Sequence, residues 1–109
     1  HIKGMAHITG GGLPGNLSRI LPEGLQAVID ASSWEIPPVF GLIEKLGPVA
    51  RGEMYRTFNM GIGFALVVPS EEAGKLIKVL EEKGLPAYCI GAIAPMETER
   101  DTNTRVRIS

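Results

Sequence analysis

The sequence is poor in the groups that mark several large function classes. Cys89 is the only cysteine among 109 residues. One thiol makes neither an internal disulfide nor a multi-cysteine metal site, and such sparing use fits a reducing compartment. Charge of one sign is also missing: the formal net charge is −1, so no global field draws the chain to nucleic acid or anionic lipid. The longest apolar run, Phe64-Ala65-Leu66-Val67-Val68, falls far short of the ~20 residues that span a bilayer. His1-Ile2-Lys3 leads into no apolar core with a cleavage site, so no signal peptide is visible. Repeats and low-complexity stretches are absent as well. The expectation is a cytoplasmic protein with no nucleic-acid and no membrane partner. The chain does not open on methionine, and Met5 falls inside a strand pattern. Both features predict that it starts within a longer protein.

What is present suits a single packed domain. Hydrophobic residues make up 44% and charged residues 21%, ordinary values for a globular chain. A chain of this length buries roughly two-thirds of its unfolded surface. Met5 to Thr9 reads as a short strand, broken by Gly10-Gly11-Gly12. Asn16 is placed to cap a short helix carrying Leu17, Ile20 and Leu21, which Pro22 ends. Leu25 to Asp30 alternates as a strand. Pro37-Pro38 can open a helix, whose apolar stripe is Val39, Leu42, Ile43 and Leu46, and Gly47-Pro48 stops it. Gly52 to Phe58 allows one short helical turn.

Ile62 to Val68 is almost wholly apolar and reads as a strand covered on both faces. Ser70 is placed to cap a helix with Glu71 and Glu72 at its positive end. Its inward stripe is Ala73, Leu76, Ile77 and Leu80, and Gly84 ends it. Pro86 to Ala94 returns as a strand, and Thr104 to Ile108 reads as a last edge strand. Between them, the polar run through Glu97, Glu99, Arg100 and Asp101 reads as a solvated loop. The span Ile62 to Ile93 is therefore strand–helix–strand, a pattern that predicts a right-handed crossover between parallel strands. The fold class is α/β or α+β, with helices on a mixed sheet and a ferredoxin-like strand–helix–strand element.

Three segments can carry chemistry. The first is His7-Ile8-Thr9-Gly10-Gly11-Gly12-Leu13. Glycines after a strand permit positive φ and remove Cβ atoms from the path of a ligand. A helix start then adds unpaired N–H groups and partial positive charge. Such a turn can hold a phosphate by backbone alone, and it can equally be a tight turn without a ligand. No Gly-Lys-Ser/Thr follows and the G-x-G-x-x-G spacing is absent, so it is neither a P-loop nor a dinucleotide fingerprint. His7 can bond a phosphate or move a proton, or simply be satisfied beside the turn. Alternation puts it on the same face as Met5 and Thr9.

The second segment runs from Glu53 through Tyr55, Arg56, Thr57 and Asn59 to Gly63. Arg56 suits a carboxylate or phosphate, or a structural ion pair with Asp30 or Glu53. Met54 and Phe58 read as core, and Gly61 and Gly63 allow close backbone approach. The third segment is Asp30-Ala31-Ser32-Ser33-Trp34, where Asp30 ends a strand and also suits an Asx-turn, and Trp34 reads as a packing anchor. No cysteine–histidine or serine–histidine–acid pattern is present. Asp and Glu are not clustered as a magnesium site requires. The residues alone reach a phosphate-binding α/β unit with no assigned catalytic group.

Taken together, His7-Ile8-Thr9-Gly10-Gly11-Gly12 and Met54-Tyr55-Arg56-Thr57-Phe58-Asn59-Met60-Gly61-Ile62-Gly63 resemble the C-terminal domain of the phosphoribosylformylglycinamidine cyclo-ligase family, also called aminoimidazole ribonucleotide (AIR) synthetases. Leu21-Pro22-Glu23, Ala27-Val28-Ile29-Asp30 and Ser33-Trp34 before a proline-led helix add to the likeness, which runs through roughly residues 3 to 94. The resemblance implies an ATP- and Mg2+-dependent ligase of purine biosynthesis that cyclises formylglycinamidine ribonucleotide. It implies a homodimer of two-domain chains, of which residues 1–109 are the C-terminal portion without the N-terminal ATP-binding domain. Such a fragment would be inactive alone, with its metal ligands in the other domain. The resemblance carries a substrate or nucleotide phosphate onto Thr9, Gly10, Gly11 and Gly12. It makes His7, Asn16, Arg56, Thr57 and Asn59 further candidates for the same cleft. Two alternatives stay open: another ATP-dependent enzyme of the same superfamily, and a non-catalytic phosphate-binding module.

Overall fold

The computed structural model describes residues 2–96 and 105–109. The elements run β1 (Gly4–His7), α1 (Gly12–Ile20), β2 (Leu25–Ile29), a 3-10 turn (Ala31–Ser33), α2 (Pro38–Leu46), α3 (Arg51–Thr57), β3 (Phe64–Val67), α4 (Ser70–Glu82), β4 (Gly91–Pro95) and β5 (Val106–Ile108). The α+β class with a mixed sheet is what the sequence predicts. β1 and β3 form an antiparallel ribbon, and β2 lies between antiparallel β4 and parallel β5.

Helix α1 is the centre of the molecule and packs on α3, β1, β2 and β5. Its Leu13, Leu17 and Leu21 meet Met54 and Tyr55 of α3, Ala6 and Ile8 from β1 and its end, and Ala27, Ile29 and Val106 of the three-stranded sheet in one core. Leu13 and Met54 are wholly buried, worth roughly 1.5–3 kcal/mol each. Trp34 is the anchor expected of it: buried, with its Nε1 donating to the Met60 carbonyl at 3.0 Å. Gly61, at φ +100°, lets the chain pass Pro37, whose Cδ lies 2.6 Å from where a Cβ would stand.

Arg105 ties the last strand to the central helix. Its guanidinium donates to the carbonyls of Ser18 (3.2 Å), Leu21 (2.7 Å) and Pro22 (2.6 Å). The Ser18 carbonyl is one that the helix C-terminus leaves without an intrahelical partner, the Leu21 and Pro22 carbonyls follow just after the helix end, and a cation there also meets the negative end of the dipole.

Several expectations are corrected. The crossover from Ile62 to Ile93 does not form, because β3 pairs with β1 while β4 pairs antiparallel with β2. Backbone fit fixes both choices: the Ile8 N–H bonds the Gly63 carbonyl at 2.9 Å, and Gly91 lies so close to the Val28 carbonyl that a Cβ would overlap it. β3 is not covered on both faces, since Phe64 is exposed. Asn16 is not a cap; Gly11, in the left-handed region, precedes the helix and Asn16 lies inside it. Ser70 is the first residue of α4, and its hydroxyl meets the Glu71 carboxylate rather than the backbone.

The predicted α2 stripe is mostly outside: Val39, Leu42 and Leu46 are 52%, 55% and 74% exposed, and the helix packs inward through Phe40 and Ile43. Helix α4 contributes no buried residue. The last strand, read from Thr104, is described over Val106–Ile108. The loop read over Glu97, Glu99, Arg100 and Asp101 lies outside the described residues.

Candidate functional site

The Thr9–Gly12 turn owes its shape to two different glycine requirements. Gly11 has φ +99°, which an L side chain resists. Gly12 has φ +62° and rests on α3, where a Cβ would stand 1.6 Å from the Tyr55 carbonyl oxygen. Gly10 meets neither requirement: its φ is not positive, and nothing lies within 4 Å of its would-be Cβ. Backbone conformation at Gly11, and conformation with packing at Gly12, therefore explain two of the three glycines and leave Gly10 unaccounted for.

Asn16 reaches back from inside α1 to hold the turn. Its Nδ2 donates to the carbonyls of Gly12 (2.8 Å), Thr9 (3.1 Å) and Gly10 (3.4 Å). Its Oδ1 accepts from the Thr9 hydroxyl at 3.3 Å and from Arg19 Nη1 at 3.2 Å. The Gly12 N–H closes the turn on the Thr9 carbonyl at 2.9 Å. The N–H groups of Gly10 and Gly11 have no acceptor among the described residues. The first turn of α1 carries no acidic residue. Free N–H groups at the positive end of a helix, with no carboxylate beside them, are what an anion needs.

Beside the turn lies an open depression of about 330 Å³, lined by Ile8, Thr9, Phe40, Thr57, Phe58 and Asn59. Of the predicted site residues it gathers Thr9, Thr57 and Asn59. Phe40 and Phe58 supply an aromatic wall, with ring centroids 5.6 Å apart. Asn59 Oδ1 accepts from the Gly61 N–H at 2.8 Å and so shapes the turn into β3. The Thr57 hydroxyl reaches Glu53 at 3.4 Å.

Of the other predicted site residues, Gly10, Gly11, Gly12 and Asn16 form the turn beside the depression without lining it, and His7 and Arg56 do not line it either. His7 is exposed on the ribbon, with its ring stacked on Phe64 at 6.1 Å. Arg56 is exposed and faces Glu53 at 3.9 Å, the ion pair already weighed for it. Asp30 forms the Asx-turn: its Oδ1 accepts from the Ser32 N–H (2.9 Å) and hydroxyl (2.6 Å). Those bonds, the side-chain one foremost, lower its pKa.

Three contributions escaped the sequence reading. Arg19 places its guanidinium by the glycine turn, and its spacing of three from Asn16 was the available signal. Arg105 caps α1 from 84 and 87 positions away along the chain, which no local pattern reveals. The Tyr55 hydroxyl is buried without a partner among the described residues, and burial raises its pKa. Among the described residues, no three or more His, Cys, Asp or Glu side chains come together to hold a metal ion. The carboxylates that a magnesium-bound nucleotide requires are not gathered here.

The fold is thus an α+β domain that presents a glycine turn, stapled by Asn16, beside a depression with polar and aromatic lining. Residues 1–100 match the family model described as AIR synthase related protein, C-terminal domain, and the chain belongs to that family. A phosphoribosylformylglycinamidine cyclo-ligase of Pseudothermotoga lettingae is 57% identical over 96 residues, which are 88% of this chain and 28% of that protein. The cyclo-ligases of Thermodesulfovibrio yellowstonii and Myxococcus xanthus are 52% and 51% identical over 83% and 84% of this chain, and 26% and 27% of their own lengths. The chain thus spans just over a quarter of the length of these curated relatives.

Proposed function

We propose that residues 1–109 are the C-terminal portion of a phosphoribosylformylglycinamidine cyclo-ligase and form one wall of its substrate cleft. In this reading the whole enzyme uses ATP and Mg2+ to close the imidazole ring of formylglycinamidine ribonucleotide, as a cytoplasmic homodimer. ATP and metal are held mainly by a separate N-terminal domain. The observation that carries the reading is the agreement between kinship and geometry. Relatives at 51–57% identity bear that name, and the two motifs that resemble the family meet at one depression.

Within that cleft, the Gly10 and Gly11 N–H groups bind a phosphate. Thr57 and Asn59 bound the space beside it, and Phe40 and Phe58 give that space its aromatic wall. No general base is assigned to this wall.

Gly10 tests the proposal, because its replacement leaves the fold intact. Gly10→Val in the full-length enzyme should leave the melting temperature near wild type and raise KM for formylglycinamidine ribonucleotide at least roughly tenfold, about 1.4 kcal/mol of lost binding. It should also weaken complementation of a strain that lacks the cyclo-ligase. Wild-type kcat/KM in that variant would overturn the role of the turn. Gly11→Val is the poorer test, since the φ of +99° makes it a folding variant as well.

A further inference from the structure

We propose that the outer edge of β3 is where a strand of the parent chain, from the part that precedes residue 1, joins the β1–β3 ribbon. The inference rests on the reading of residues 1–109 as the C-terminal portion of a longer chain, and it adds how the remainder meets them. β1 and β3 pair only with each other among the described residues. Two backbone bonds fix which way each residue of β3 turns. The Ile8 N–H reaches the Gly63 carbonyl at 2.9 Å, and the Lys3 N–H reaches the Val67 carbonyl at 2.7 Å. Gly63 and Val67 therefore turn their polar groups toward β1, and Ala65, two residues from each, does the same. In an antiparallel pair the alternate residues turn theirs away. Those residues are Phe64 and Leu66. Outside the β1–β3 pairing, no backbone bond reaches either of them among the described residues.

Proteins blunt a free edge with charge or proline on the strand. Phe64–Val67 carries neither and lies in the longest apolar run of the chain. The outer face of the ribbon is uncovered as well. The register sets Met5 beside Leu66 and His7 beside Phe64, on the side opposite the buried Ala6 and Ala65. Met5 and Phe64 are 57% and 56% exposed. A two-stranded ribbon is marginal in water, and a third strand with an apolar face makes it secure. Kinship says what is at hand to supply that strand. Residues 1–100 match a C-terminal domain. The matched stretch is 28% of the Pseudothermotoga lettingae relative, so over two-thirds of such a chain lies outside it. A segment of that remainder is tethered, and a short flexible tether gives an effective concentration of about millimolar, an advantage that a second copy free in solution lacks. The incoming strand takes the outward N–H and C=O groups of Phe64 and Leu66 by strand addition. Its alternate apolar side chains extend the face that Met5, Phe64 and Leu66 begin.

The test follows amide hydrogen exchange in the full-length protein and in the 109-residue chain, with Ala65, whose N–H faces β1, as the internal standard. In the full-length protein the Phe64 and Leu66 amides should exchange within about tenfold of Ala65. In the 109-residue chain they should exchange at least about a hundredfold faster than Ala65. Leu66→Pro removes one outward N–H and leaves the bonds to β1 in place. It should melt more than about 5 °C below Leu66→Ala in the full-length protein and within about 2 °C of it in the 109-residue chain. Equal melts of the two variants in the full-length protein, or fast exchange of Phe64 and Leu66 there, overturn the inference. Slow exchange of both in a monomeric 109-residue chain overturns it too, because the edge is then not open. Protection that grows with concentration in that chain, with a dimer in sedimentation, makes the occupant a second copy and overturns the assignment to the parent chain. None of these readouts uses turnover. A full-length protein that protects both amides yet fails to cyclise formylglycinamidine ribonucleotide overturns the cyclo-ligase reading and supports this inference.

Discussion

Helices α1 and α2 carry apolar residues at similar spacing and meet different fates. Leu13, Leu17 and Leu21 of the α1 segment are buried, and the helix rests directly on the α3 backbone. Val39, Leu42 and Leu46 of α2 stay in the open, and only Phe40 and Ile43 reach the core. An apolar period states that a helix has a face to bury. It does not state that a partner backbone can approach that face. Gly12 is what permits the approach at α1, because the absence of a side chain brings two helices into backbone contact. Helix α2 has no such residue against α3 and relies on the reach of Phe40 toward Phe58.

The largest effect that would break this contrast is at Gly12. In Gly12→Ala the new Cβ would stand 1.6 Å from the Tyr55 carbonyl oxygen and 3.0 Å from that of Phe58, at φ +62°. The helices must part, and the loss should reach at least about 3 kcal/mol. Urea unfolding measures it directly. A loss below about 1 kcal/mol would show that the α1–α3 contact yields easily, and the distinction between the two helices would weaken.

A middling effect belongs to Arg105, which holds α1 from the other end. Arg105→Met keeps much of the apolar stem and removes the bonds to the Ser18, Leu21 and Pro22 carbonyls. Stability should fall by about 1–2 kcal/mol, read as a lower melting temperature, and Arg105→Lys should recover part of it. An unchanged melt would mean that water satisfies those carbonyls equally well.

Local signals in the sequence locate most elements. Pro37-Pro38 and Gly47 bracket α2, and the alternation of Val106 and Ile108 marks β5. Pairing was not legible. The strand–helix–strand rule assumes that both strands join one sheet, whereas β3 and β4 join different ones through contacts distant in sequence. Asn16 read as a cap because it is a good capping residue before an apolar period. Glycines at positive φ took the start of the helix and freed its amide to staple the turn. At the candidate site, motif order anticipated that Thr9, Thr57 and Asn59 share a depression. It could not separate Gly11, required by its backbone angle, and Gly12, required by angle and by the α3 carbonyls, from the open Gly10, because that distinction lies in backbone angle and neighbouring carbonyls.

The smallest predicted effect sharpens the comparison most. Leu46 is 74% exposed, so Leu46→Lys in the 109-residue chain should change stability by no more than about 0.5 kcal/mol. The same substitution at a buried α1 leucine would strand a charge in the core and unfold the chain. Thermal melts of Leu46→Lys in this chain and in the full-length protein then form a pair. A near-zero effect in both leaves α2 as a helix that tolerates its apolar face in water. A near-zero effect in the chain with a loss above about 1.5 kcal/mol in the full-length protein would show that residues beyond these 109 cover α2. The contrast between α1 and α2 would then be one of where the covering backbone comes from, not of whether the stripe is buried.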